Sequence, residues 1–242
     1  MKILGLDSSG LVASVAVAED DKLLAEYTVN YKKTHSQTLL PMLDEIVSMI
    51  ELDLHTVDAI AVAGGPGSFT GLRIGSATAK GLGLALEKPL IQIPTVDGIA
   101  YNLCGARELV CPLMDARRNQ TYTGLYEFEQ DTMNTLISQR AVGIEEILEM
   151  VSGFDRDVVF LGDGVPVFEE QIRQRFPGKF WFAPAHMNRQ RAASLAVLAQ
   201  QYYRQGRIQT AREHQPQYLR MAQAERERLA KKSEHQNQQV IQ

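Results

Sequence analysis

Two short turns carry residue types that could bind a phosphate group and its metal ion. The first is DSSG at residues 7–10, where the Asp7 carboxylate can hold a hydrated cation while Ser8 and the turn amides face a phosphate. Asp and Ser also bond to their own backbone in ordinary β-turns, so a purely structural turn is the alternative that the sequence leaves open.

The second turn, GGPGSFTG at residues 64–71, leads from a strand into a helix. Gly65 and Gly67 allow close approach of the backbone, and the amides after Ser68 lie at a helix N-terminus, where an anion is favoured. The known glycine-loop patterns are incomplete, because no lysine occurs before Lys80 and a threonine replaces the third glycine of the dinucleotide fingerprint. A helix N-cap is the structural alternative.

Two further turns in the second half have similar chemistry. Asp115 lies beside Arg117 and Arg118 in a hairpin turn, which favours a local charge network. Gly162 and Asp163 belong to a GDG turn between a strand and a helix, which suits either a tight turn or a nucleoside contact. The candidate nucleotide-binding residues are therefore Asp7, Ser8, Gly65, Gly67, Ser68, Asp115, Gly162 and Asp163.

No catalytic or metal-binding constellation is evident. No two of the five histidines are four apart on a helix, and the two cysteines are too few for a structural zinc site. No serine occupies a nucleophile elbow. The sequence therefore predicts neither a catalytic residue nor a metal site.

The elements that position these turns form an α/β pattern in two similar halves. The first half is a three-stranded antiparallel meander followed by helix, strand, helix and strand, with the order of a right-handed parallel crossover. These elements are predicted at residues 2–6, 11–18, 22–29, 36–51, 57–63, 69–86 and 90–93. The second half is a weaker repeat, with strands near 109 and at 121–128 and 157–164 and helices at 144–151, 167–176 and 191–206.

Two helix surfaces are larger than one core requires. The first helix has a wide apolar arc, and the second has a row of small residues spaced by four. Three helical glycines cost about 1 kcal/mol each relative to alanine, and close helix packing, a ligand at the turn or both could offset that cost. We predict that both surfaces contact a partner helix, with rows crossing near −50°; the residues are Leu39, Leu40, Leu43, Val47, Ile50, Gly71, Gly75, Ala79 and Gly83.

Composition limits the remaining possibilities. The chain has 242 residues and a net charge of −4, which gives no general case for binding nucleic acid. The basic segment 204–232 is either a solvated helix face or a local RNA contact. Without a signal-like start or a long apolar run, the chain is expected to be cytoplasmic and to have no membrane contact. The polar tail 222–242 is expected to be partly disordered.

Taken together, several segments resemble the TsaB family, formerly called YeaZ, over residues 1–221. They are ILGLDSS (3–9), THSQTLLPMLDEIV (34–47), GGPGSFTGLRIGSATAKGLGLAL (64–86), PLMDARRNQTY (112–122), GDG (162–164) and PQYLR (216–220). The resemblance implies an actin-like ATPase (ASKHA, ribonuclease H-like) fold with two related subdomains. Residues 1–103 with 191–221 would form one subdomain, and residues 104–190 the other.

The resemblance also implies a function. TsaB-like proteins work with the catalytic subunit TsaD and the ATPase TsaE, which together transfer a threonylcarbamoyl group to the adenosine beside the anticodon of tRNAs reading codons that begin with A. TsaD-like proteins carry H-x-x-x-H where this chain has Thr95 and Ile99, so the chain resembles the non-catalytic scaffold and activator subunit. It would pair with TsaD, or with itself when TsaD is absent, and reach tRNA through the complex.

Cofactor use stays open at this stage. The sequence requires none, and the candidate is ATP or ADP with magnesium at the assembled complex. The alternative function is a stand-alone actin-like enzyme that binds a nucleotide between Asp7, the glycine turn and Asp115. The older metallopeptidase label for such sequences is disfavoured, because neither HExxH nor another histidine pair is present.

Overall fold

The computed structural model describes residues 1–31 and 34–219, which form two five-stranded sheets with helices on their faces. The first sheet has the order β3-β2-β1-β4-β5 and the second has the order β10-β9-β6-β7-β8. The first sheet contains β1 (Lys2–Asp7), β2 (Ala13–Glu19), β3 (Lys22–Val29), β4 (Ala59–Ala63) and β5 (Leu90–Ile93). The second contains β6 (Leu109–Asp115), β7 (Gln120–Glu129), β8 (Thr132–Gly143), β9 (Val158–Leu161) and β10 (Phe180–Phe182).

The two sheets share one topology. In each, three consecutive strands pair antiparallel and two later strands join in parallel beside the first of them. The predicted α/β fold with two related subdomains is confirmed. The numbered subdomain boundaries stay a prediction.

Helices cover both faces of both sheets. Helices α1 (His35–Met49) and α2 (Phe69–Ala85) pack on one face of the first sheet, and α6 (Ala192–Arg204) packs on the other. Helices α4 (Ile144–Ser152) and α5 (Val165–Arg175) cover the outer face of the second sheet, and the short α3 (Thr95–Ala100) covers its inner face. Strand β4 is buried along its whole length, as expected for a parallel strand covered on both sides.

Most predicted elements are present, and three elements lie where none was predicted. Strands β3 and β5 have the predicted bounds, whereas α3, β8 and β10 were missed. Among residues 1–31 and 34–219, no helix is both long and apolar enough to cross a bilayer. The polar tail 222–242, and most of the predicted basic segment's charge, lie outside the described residues.

Candidate functional site

A cleft of about 660 Å³ lies between the turns of the two subdomains. One wall contains the β1 turn, the glycine turn before α2 and the first turn of α1, and the other contains the β6–β7 turn and the GDG turn after β9. Four of the predicted nucleotide-binding residues line it together: Gly67, Ser68, Asp115 and Asp163. The other four are not among the residues that line the cleft: Asp7, Ser8, Gly65 and Gly162.

Asp7 is a buried carboxylate that is held by its own turn. Its Oδ1 accepts hydrogen bonds from the Ser9 amide at 2.8 Å and from the Ser9 hydroxyl at 2.6 Å. Burial raises the pKa of Asp7 to about 6, an effect larger than the opposing one of the Ser9 hydrogen bonds. Asp7 lies behind Ser9 and Gly10, which line the cleft. A buried acid with a raised pKa is a frequent mark of a functional site, although it also costs stability.

The β1 turn and the glycine turn are bonded to each other. The Ser68 amide donates to the Ser9 carbonyl at 2.7 Å, and the Ser8 hydroxyl donates to the Gly71 carbonyl at 2.9 Å. A side chain at Gly67 would collide with the Ser9 carbonyl oxygen. The absence of a side chain at Gly67 therefore permits contact between two turns of the same chain. The sequence predicted instead that this glycine lets a ligand approach the backbone.

The glycine turn is also held from two other sides. Gly65 has a φ of 109°, a conformation that favours glycine, and a side chain there would collide with the Gln217 carbonyl oxygen. The Gln217 amide donates to the Gly64 carbonyl at 2.7 Å. The Gly65 amide donates to the Thr95 hydroxyl at 3.2 Å. Thr95 is thus a structural acceptor that holds the glycine turn.

The opposite wall brings two carboxylates close together. The Asp115 amide donates to Asp163 Oδ1 at 3.3 Å, and Asp115 Oδ1 accepts from the Arg117 amide at 2.7 Å. Burial raises the pKa of Asp163, the nearby Asp115 carboxylate raises it further, and the Asp115 amide and Arg189 oppose the shift. Gly162 is required by a close approach, because a side chain would meet the Leu113 carbonyl. The GDG turn is therefore a tight turn against β6.

Several hydrogen-bonding groups of the two turns are used within the protein itself. The Ser9 amide and hydroxyl are used by Asp7, the Ser68 amide is used by Ser9, and the Ser68 hydroxyl caps the Gly71 amide. Within residues 1–31 and 34–219, no three His, Cys, Asp or Glu side chains lie close enough together to hold a metal ion. The bonds within and between the turns therefore take up part of the anion-binding capacity that the sequence predicts for them.

Several side chains at the mouth of the cleft were not predicted from the sequence. His35 Nε2 donates to the Gly10 carbonyl at 2.8 Å. The rings of Phe69 and Tyr218 are 4.9 Å apart, and the guanidinium of Arg73 lies 3.9 Å from the Phe69 centroid. The only local signal was the position of His35 at a helix start, because the aromatic pair joins distant parts of the chain.

The predicted partner surface requires a correction. The row Gly71, Gly75, Ala79 and Gly83 is buried against the chain's own sheet. A side chain at Gly75 would meet Ser8 and Val62, and one at Gly83 would meet Leu90 and the Lys88 carbonyl. The glycines let α2 lie close to its own sheet, so this row is not available to a partner helix.

The apolar arc of α1 contains both buried and exposed residues. Leu39 and Leu43 are buried in the core of the first subdomain, so the prediction was wrong for them. Val47 and Ile50 are partly buried against that core, and Leu40 is 53% exposed. On α2, the exposed residues include Ala77, Gly81, Leu84 and Ala85, and nothing lies within 4 Å of a side chain built at Gly81. We call Leu40, Val47, Ala77, Gly81, Leu84 and Ala85 the outer face of α1 and α2.

Comparison with known proteins identifies the family. The family model described as TsaD: tRNA N6-adenosine threonylcarbamoyltransferase matches residues 22–228. The tRNA threonylcarbamoyladenosine biosynthesis protein TsaB of Bacillus subtilis is 32% identical over 227 residues, which are 93% of this chain and 96% of that protein. TsaB of Haemophilus influenzae is 29% identical over 91% of this chain and 94% of that protein.

A solved structure agrees with these sequence relatives. YeaZ from Pseudomonas aeruginosa superimposes with a TM-score of 0.75 and 27% sequence identity, over 90% of this chain and 99% of that one. The matched segments include the glycine turn, both subdomains and the two helices that carry the outer face. This chain belongs to the TsaB (YeaZ) family of tRNA threonylcarbamoyladenosine biosynthesis proteins.

Proposed function

We propose that the chain is a non-catalytic scaffold and activator subunit of the assembly that forms N6-threonylcarbamoyladenosine beside the anticodon of tRNAs reading codons that begin with A. Its partners in this proposal are the catalytic subunit TsaD and the ATPase TsaE, with tRNA bound through the assembly. The observation that carries the proposal is the outer face of α1 and α2. It combines the exposed apolar Leu40 and Leu84 with the small residues Ala77, Gly81 and Ala85.

The outer face has the properties of a helix-docking surface. Small residues at positions 77, 81 and 85 lie four apart, so a second helix could approach the α2 backbone along them. Leu84 is 58% exposed beside this row and would lose its contact with water in a complex. A TsaD homologue, or a second copy of this chain when TsaD is absent, could supply the matching pair of helices.

The cleft supports the non-catalytic part of the proposal. Thr95 and Ile99 are both buried, and Thr95 uses its hydroxyl to hold the glycine turn. Two hydrogen bonds join the turns to each other, so fewer of their polar groups remain for a phosphate, which argues against the stand-alone nucleotide-binding enzyme. The chemistry of the proposed assembly would then reside in TsaD and TsaE.

Reconstitution tests the catalytic claim. The purified chain is assayed for threonylcarbamoyl transfer to tRNA from threonylcarbamoyl-adenylate, alone and with homologues of TsaD and TsaE. We expect no transfer by the chain alone, and transfer by the assembly that falls when this chain is left out. Transfer by the chain alone would refute the scaffold function.

A pair of variants tests the docking surface. Leu84→Asp places a charge on the outer face, whereas Val167→Asp places one on α5 at a residue that is similarly exposed, at 56%. We expect Leu84→Asp to raise the dissociation constant for the TsaD homologue at least about tenfold, because a buried carboxylate would have no partner. Val167→Asp should leave the constant unchanged. Equal binding by both variants would show that the partner uses another surface.

A further inference from the structure

The two subdomains meet along a central layer made by α3, α6 and β7. Asp97 of α3 lies at its middle and uses both carboxylate oxygens. Oδ1 accepts from the Tyr126 hydroxyl of β7 at 2.6 Å, and Oδ2 accepts from the Tyr202 hydroxyl of α6 at 3.1 Å. One side chain therefore links the second sheet to the helix that covers the first.

The environment of this carboxylate makes the link strong. Tyr126 is fully buried and Tyr202 is 6% exposed, so a loosened hydroxyl would have few other partners. Burial raises the pKa of Asp97, and the two tyrosine hydrogen bonds and the charge of Arg207 oppose that shift. The guanidinium of Arg207 lies 3.5 Å from the centroid of the Tyr202 ring, which holds that ring in place.

A second link lies further along the same layer. Gln201 of α6 donates to the Asp131 carbonyl in the β7–β8 turn at 3.1 Å. Tyr101 packs edge-on against Phe128 of β7, with ring centroids 6.0 Å apart. Phe128 and Met133 are partly buried against the cores on both sides of the layer. A rotation of one subdomain against the other would have to break both links.

We propose that Asp97 is a lock that holds the two subdomains at one angle, so that the cleft between them keeps a fixed width. Tyr126 orients the carboxylate, and Tyr202 transmits the restraint to α6 and the first sheet. Domain closure around a ligand needs a hinge that absorbs rotation, and this layer restrains rotation at two points. The chain would thus act as one rigid body.

Distance measurements between the subdomains test the lock. Spin labels are attached at Ser48→Cys on α1 and Glu170→Cys on α5, both exposed, in a Cys104→Ser background in which Cys111 is buried. The variants are Asp97→Ala, the isosteric Tyr202→Phe and the control Asp157→Ala, which removes an exposed carboxylate of the second subdomain. The distance distribution is recorded by pulsed electron resonance, with far-ultraviolet circular dichroism as the check of folding.

The expected outcome is one narrow distribution for the parent and for Asp157→Ala. Asp97→Ala should broaden it at least about twofold, and Tyr202→Phe should broaden it less. A folded Asp97→Ala protein with the parent's width would overturn the lock. Where Asp97→Ala does not fold, Tyr202→Phe decides, because it removes only the hydroxyl that reaches α6, and an unchanged width would again overturn the lock. The measurement needs no partner, so its result is independent of the proposed function.

Discussion

The two faces of α2 carry nearly the same residue types but have different surroundings. The inward row contains Gly71, Gly75, Ala79 and Gly83, and the outward row contains Ala77, Gly81 and Ala85. The inward row touches the β1 turn, β4 and β5, whereas nothing lies within 4 Å of a side chain at Gly81. Small residues inside allow the chain to fold, and small residues outside leave a surface on which another helix can lie.

Helix geometry explains why the sequence alone did not separate the two rows. Residues four apart form a row, and residues two apart lie on nearly opposite faces, since each residue turns the helix by about 100°. A spacing of four is therefore common to both rows and does not give their direction, and only the inward row was predicted as a partner surface. The contacts of the surrounding sheet give that direction, and the following substitutions test it.

The largest effect is expected for a bulky residue on the inward row. Gly75→Leu would push a side chain into the Ser8 hydroxyl and Val62, which are already packed. We expect a loss of about 3 kcal/mol or more in the free energy of unfolding, at the upper end of the overpacking range. The measurement is urea denaturation followed by circular dichroism, with Gly81→Leu as the matched control. Similar stability of the two variants would contradict the assigned direction of α2.

The next effect concerns the buried acid beneath the inward face. Because the pKa of Asp7 is raised from 3.8 to about 6, the folded state binds more protons than the unfolded state between these values. Stability therefore falls as the pH rises through this window, and the cost persists above pH 6. Asp7→Asn keeps an oxygen that can accept the Ser9 hydrogen bonds and removes the charge. We expect it to stabilise the protein by about 2–3 kcal/mol at pH 7.5 and by little at pH 4.

Denaturation of the parent and of Asp7→Asn at pH 4, 6 and 7.5 measures this difference. Asp157→Asn is the control, because that carboxylate is exposed. A constant difference between the parent and Asp7→Asn across the three pH values would mean that Asp7 titrates normally. A stability gain at neutral pH would show that the native acid is retained at a cost, as is common for functional residues.

The contrast between predicted and missed elements has a physical cause. Strand β3 was predicted because it follows the turn at Asp20 and Asp21, and β5 because a short apolar segment follows α2 in the order strand, helix, strand. Strand β8 was missed because only Ile137 in it is buried, so it lacks an alternating apolar pattern. Strand β10 has three residues and α3 has six, too few for a periodicity to appear. Tertiary contacts determine whether such short segments form a strand or a helix.

The candidate site was likewise predicted only in part. The turns that contain Asp7, Gly67 and Asp115 were predicted from local turn chemistry, and the fold brings their walls together in one cleft. The bonds of Ser68 to Ser9 and of Ser8 to Gly71 join segments about sixty residues apart. The residue types of a turn can be read from the sequence. Which acceptors its hydrogen-bond donors contact depends on the distant turn that packs against it.

A bulky residue on the outward row tests whether this row of α2 contacts a partner helix. Gly81→Leu should leave the fold intact and weaken association with a TsaD homologue about tenfold, because a partner helix could no longer approach the α2 backbone. The control is Gly143→Leu, another glycine with open space around it, at the start of α4 in the second subdomain. Isothermal titration of both variants measures the change. Unweakened binding by Gly81→Leu would remove the outward row from the docking surface.

The smallest effect should have opposite signs on the two rows. Gly81→Ala adds a methyl group in open space and removes a flexible glycine from a helix interior, so it should stabilise the chain by up to about 1 kcal/mol. Gly75→Ala adds the same group 2.5 Å from the Ser8 hydroxyl, which is itself bonded to the Gly71 carbonyl. Either α2 or Ser8 must then move, and the hydrogen bond is lost, so the variant should be destabilised by about 1 kcal/mol. Thermal denaturation of the two variants measures the sign directly. Stabilisation by both would mean that the helix propensity of alanine outweighs the contact with the β1 turn, and that the inward row is packed less closely than the distances indicate.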